Sequence, residues 1–121
     1  MAPTMEIHSF DKPDEVRNFG HGNLALLQTA DGEIGKSVFE PGWRWSNDVK
    51  PIAKTEKCEV RHLGYTVSGT LHVQMADGQE YDLPAGSVAM IPPGHDAWVV
   101  GNEPVVMIDW AGASNYAKPK G

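Results

Sequence analysis

The chain has 121 residues, 40% of them hydrophobic and 21% charged, with a net charge of −6 at neutral pH. That length suits a single domain, residues 1–121, with one core, and the composition is neither that of a disordered chain nor of a membrane-embedded one. The acidic balance argues against nucleic acid or an anionic membrane as the main partner, because both need a basic face.

A single cysteine leaves no intrachain disulfide to form, so nothing requires an oxidising compartment. The opening residues MAPTMEIHSF contain no apolar core of signal-peptide length, and no apolar run is long enough to span a bilayer. A cytoplasmic protein is the expectation.

In chain order, Asp11 to Phe19 reads as one short N-terminal helix, with Pro13 near its start and acidic residues after it. Everything beyond reads as strand. Leu24 to Thr29 runs into the turn Asp31-Gly32, and Ile34 to Phe39 follows, ending at Pro41-Gly42. Tyr65 to Val67 leads to the turn Ser68-Gly69. Thr70 to Met75 then alternates, with Leu71, Val73 and Met75 on one face and Thr70, His72 and Gln74 on the other. After Asp77-Gly78 come Gln79 to Leu83, the turn Pro84-Ala85-Gly86, and Ser87 to Ile91. Pro92-Pro93-Gly94 makes a corner before Ala97 to Val100, and Val105 to Trp110 closes the series. About eight strands at roughly ten-residue spacing predict an all-β sandwich or barrel.

The long piece between Gly42 and Cys58, WRWSNDVKPIAKTEK, shows no strand period. A loop of that length is often a lid or binding loop. Trp43 and Trp45 either line a ligand pocket, with Trp98 as a third wall, or simply cover the end of the core.

The segment CEVRHLGYTVSG, residues 58–69, ends in His62-Leu63-Gly64-Tyr65-Thr66-Val67-Ser68-Gly69. Further on, Gly86 is followed by five residues and then Pro92-Pro93-Gly94. Together these resemble the two motifs of the cupin superfamily, over about residues 36 to 110. The resemblance implies a jelly-roll-type β-barrel with a divalent metal held inside it and a small molecule as ligand or substrate. The usual ligand set is replaced here. The positions of the family's glutamate and paired histidines hold His62, Cys58 and Glu56, and the second motif's histidine position is Ala97, with His95 two residues before it. Residues 95 and 97 share a strand face, so His95 can still point inward.

Cys58 and His62 would stand about 13 Å apart on one straight strand, too far for one ion, so the chain must turn between them. The resemblance implies such a turn, placing the two on adjacent strands facing His95, with Glu56 as a fourth ligand or as an acid/base. Thiolate with two imidazoles suits zinc, and iron or nickel less well. The plainer alternatives are a buried inert cysteine, His95 as a turn residue bonded to Asp96, and a solvated Glu56.

If His62 faces inward, so do Gly64 and Thr66, small residues that hint at a cavity. His72 falls on the outward face, and His8 and His21 have no assigned partner. Two functions compete: a metal-dependent cupin acting on a small molecule, in the dioxygenase, isomerase or lyase range, and a non-catalytic binding or sensing module. A cysteine-based redox or nucleophilic role lacks a Cys-x-x-Cys pair. The apolar strands before residue 40 exceed what the motif-bearing barrel needs, and with the family resemblance they predict a homodimer.

Overall fold

A computed structural model describes residues 4–112 and 116–117. Nine strands form two antiparallel sheets: β1 Glu15–Phe19, β2 Gly22–Thr29, β3 Gly32–Phe39, β4 His62–Ser68, β5 Thr70–Met75, β6 Glu80–Pro84, β7 Val88–Ile91, β8 His95–Val99 and β9 Val105–Ala111. The larger sheet runs β1-β2-β3-β9-β4-β7 and the smaller β6-β5-β8. All eight expected strands are present. Their inward faces meet in one core, with Leu24, Leu26, Phe39, Val105 and Met107 from the large sheet and Leu71, Val73, Ala97 and Val99 from the small one.

The expected N-terminal helix is not there. Residues 15–19 are instead the ninth strand, paired with β2 from Glu15↔Leu26 to Phe19↔Gly22. A helix of nine residues is too short to repay its costly nucleus without packing support, whereas a ladder on an existing edge pairs residues 15–19 along their whole length. The two helices that do form lie in the piece expected to be irregular: α1 Trp45–Asp48 and α2 Lys50–Ala53. They fix that loop at one end of the barrel. The buried Asp96 carboxylate accepts from the Ser46 backbone N–H at 3.1 Å and from its neighbour Ala97, and pairs with Arg44 at 3.4 Å.

β2 and β3 are also not spare. β3 pairs with β9, which pairs with β4, so the N-terminal strands complete the sheet that carries the motifs. The outer face over β4, β7 and β9 is apolar instead. Leu63, Val67, Val88, Met90 and Trp110 all present there, Val88 65% and Trp110 48% exposed. Gly69 makes the turn between β4 and β5 at φ +76°, where an added Cβ would collide with the Pro104 carbonyl.

Candidate metal centre

Cys58 sits beside the start of β8 through a two-residue bridge to His95, its N–H donating to the His95 carbonyl at 2.8 Å. His62 opens β4 in the other sheet, opposite Ile91 of β7. Residues 59–61 therefore cross from the small sheet to the large one. The expected turn is real, but it places Cys58 and His62 on facing sheets rather than on adjacent strands.

The consequence is convergence. One ligand atom each from Cys58, His62 and His95 lies within 4.8 Å of the others. Cys58 Sγ is 3.7 Å from His62 Nε2. Two ligands on a tetrahedral zinc, at bond lengths near 2.3 and 2.0 Å, stand about 3.5 Å apart, so the spacing fits an ion.

Both imidazoles are oriented from behind. His62 Nδ1 donates to Asp109 Oδ2 at 2.7 Å, and His95 Nδ1 donates to the Pro92 carbonyl at 2.8 Å. A carbonyl only accepts, so His95 carries a hydrogen on Nδ1, and Nε2 is the nitrogen left for a metal. This is the arrangement found behind metal-bound histidines. His95 is thus inward-facing and not the Asp96-bonded turn residue of the plainer reading. Asp109 is itself held, its Oδ1 accepting from the Ala111 N–H at 2.9 Å.

The electrostatics agree. Burial pushes the Cys58 thiol up, but hydrogen bonds from His62 and His95 outweigh it and bring it down to about 6. Burial pushes His62 down, and its bonds to Asp109 and Cys58 carry it up to about 9 instead. Both shifts favour negative charge on sulfur and a proton on His62, which a divalent cation would replace.

His62 and His95 open onto a cavity of about 50 Å³, room for a few waters. Its walls are mostly apolar, with Phe39, Trp43, Trp45 and Tyr116 as the aromatic part. Gly64 lines it as expected, but its smallness also serves the sheet, since a Cβ there would stand 3.0 Å from the Ile108 carbonyl. Trp43 stacks on Phe39 at 4.0 Å, and its indole Nε1 is buried without a partner. Trp98 does not line the cavity. Strand alternation turns it outward, between the Arg44 guanidinium at 4.1 Å and the His72 ring at 4.6 Å.

Glu56 is not brought to the cluster. Its carboxylate is in solvent, paired with Lys50 at 2.9 Å, and that contact holds it below the usual carboxylate range. The other histidines have partners elsewhere: His8 with Glu6, His21 with Asp48, and His72 with both Asp82 and Glu80. Two residues went unread in the sequence. Asp109 shares the inward parity of Val105 and Met107, so a carboxylate there was a readable signal. Tyr116, edge-on to the His62 ring at 5.3 Å, follows the last strand and carries no periodic signal. Enclosure pushes its phenol well above the usual range.

The sequence model of the Cupin domain matches residues 52–111, and the chain belongs to the cupin superfamily. Among curated proteins, none matches it. Solved structures share the fold. A Klebsiella pneumoniae protein with a double-stranded β-helix domain is 22% identical, with TM-score 0.59 over 93% of this chain and 94% of that one. A protein of unknown function from Acidithiobacillus ferrooxidans is 17% identical, with TM-score 0.60 over 88% and 100%. AerE from Microcystis aeruginosa is 22% identical, with TM-score 0.53 over 74% of this chain and 40% of its own.

Proposed function

We propose that Cys58, His62 and His95 hold one divalent ion, zinc ahead of iron or nickel, and that a small molecule binds beside it in the barrel cavity. The convergence of three ligand atoms within 4.8 Å carries this reading. A soft thiolate with two imidazoles selects zinc by donor chemistry, and three protein ligands leave a position open to the ligand. A metal held so would supply Lewis acidity. The chain's own contribution is to orient both imidazoles, through Asp109 and the Pro92 carbonyl, and to exclude water with Trp43, Trp45 and Tyr116.

One observation favours binding or sensing over catalysis. Apart from the histidines, the titratable cavity-lining side chains among the described residues are Asp109 and Tyr116. The first has both oxygens committed and the second is held neutral, which leaves no group placed to shuttle protons. Elemental analysis of the purified protein tests the metal. About one ion per chain supports the proposal, and a folded protein that stays metal-free after incubation with zinc, iron and nickel contradicts it.

The buried free thiol and the net charge of −6 support a reducing, cytoplasmic setting and a small-molecule partner rather than nucleic acid. The outer apolar face around Val88, Met90 and Trp110 supports a homodimer that covers it. Sedimentation at micromolar concentration checks this; a mass near 13.2 kDa contradicts it.

A further inference from the structure

β6 and β7 are each an edge strand, β6 of the small sheet and β7 of the large one. They are consecutive in sequence and joined by the turn at Pro84 to Ser87, yet they do not pair with each other. The turn is pinned to β4, the Gly86 N–H donating to the Thr66 carbonyl at 2.8 Å and the Thr66 N–H to the Ser87 carbonyl at 2.9 Å. Away from that pinned end the two sheets part. A groove of about 470 Å³ opens on the surface between them, with Met75, Tyr81 and Leu83 on one side and Ala89, Met90 and Pro92 on the other.

Val73 and Ile91 line this groove and also line the inner cavity. Both are buried, Ile91 in register with His62 across β4 and β7. A wall two side chains wide is therefore all that separates the surface groove from the chamber in front of His62 and His95. On the β8 side the barrel is covered by α1, which the buried Asp96 fastens in place and which sets Trp45 against the core. Moving that cover would break buried polar contacts. Moving Ile91 asks for a rotamer change in one apolar side chain on an edge strand, a much cheaper motion.

We propose that the seam between β6 and β7 is the entry port of the cavity, with Ile91 and Val73 as its gate. The groove is apolar, with Asp77 and Asp82 among its lining. Asp82 is bonded to His72, so net charge at the port is modest and negative. The molecule it admits is small, largely apolar, and neutral or cationic rather than anionic. This rests on the reading of the cavity as the ligand chamber, but it needs no metal.

Access can be measured by acrylamide quenching in a Trp98→Phe, Trp110→Phe background. Of the four tryptophans, this leaves Trp43 and Trp45, both 2% exposed and both lining the cavity. The port predicts that Ile91→Ala raises the bimolecular quenching constant at least about threefold, that Ile91→Phe does not raise it, and that Val105→Ala leaves it near the parent value. Val105 is fully buried but lines neither space, so it reports general loosening. If Ile91→Ala does not fold, Val73→Ala makes the same test from the opposite wall. An unchanged constant in the gate variant, or an equal rise in Val105→Ala, overturns the port. The metal content of the same preparations is read separately, so failure of the port is distinguishable from failure of the metal site.

Discussion

Two histidine sites on this barrel use carboxylates in opposite ways. On the outer face of the small sheet, His72 is held at both nitrogens, Nδ1 by Asp82 and Nε2 by Glu80, each at 2.7 Å. At the barrel's interior, His62 has one carboxylate, on Nδ1 alone, and its Nε2 is turned to Cys58. The imidazoles are alike; what differs is the partner at Nε2. A ring clamped by carboxylates at both ends is a surface tie between β5 and β6. A ring clamped by a carboxylate at one end, with a sulfur at the other, is a ligand aimed in advance beside a second ligand. Proximity of acid to histidine thus says little about function until each nitrogen is accounted for.

The contrast is broken most severely at its polar interior. His62→Ala should abolish metal binding and leave the Asp109 carboxylate buried without its partner. Removing one member of such a pair costs on the order of 3 kcal/mol. Elemental analysis and urea unfolding of the same sample check both effects; retained metal would show that His62 is not a ligand.

Asp109→Asn is the finer cut, since it keeps the shape of the side chain and loses the charge. The ring of His62 should lose its fixed tautomer, and metal affinity should fall about 10- to 100-fold. Competition titration against a chelator of known affinity measures this. An unchanged affinity would mean that Asp109 serves the fold alone.

The outer site should respond in the other direction. Hydrogen bonding to Asp82, reinforced by Glu80, raises the pKa of His72. A raised histidine stabilises the fold fully below its ordinary titration range, and that contribution is lost as pH rises through the raised value. Because Glu80 and Asp82 are about half exposed or more, solvent screens the effect to less than about 1 kcal/mol. His72→Gln should flatten that part of the stability–pH profile and leave metal content untouched. A loss of metal in this variant would erase the distinction between the two sites.

Much of this was legible before the fold. Strand alternation put His62, Gly64 and Thr66 on one face and His72 on the other, and equal parity rescued His95 although it stands two residues from the family's usual position. The turn glycines marked eight strands because their left-handed geometry is local. Most of the misses were non-local. Residues 15–19 carry helix-start residues, yet β2 offers them a complete ladder. Glu56 lies two residues before Cys58, but the chain reaches the barrel only at the Cys58–His95 bridge, so Glu56 is still outside it. Trp98 was grouped with its neighbours along the chain, when parity would have turned it outward. Tyr116 reaches the site from beyond the last strand, where no period leads.

Cobalt substitution reports whether sulfur and two imidazole nitrogens bind a single ion. Cobalt(II) takes zinc's place in tetrahedral sites, and thiolate ligation gives it a charge-transfer absorption. About one cobalt per chain is expected, with a thiolate band that disappears in Cys58→Ser. Binding without that band, or no stoichiometric binding by the folded protein, would contradict it.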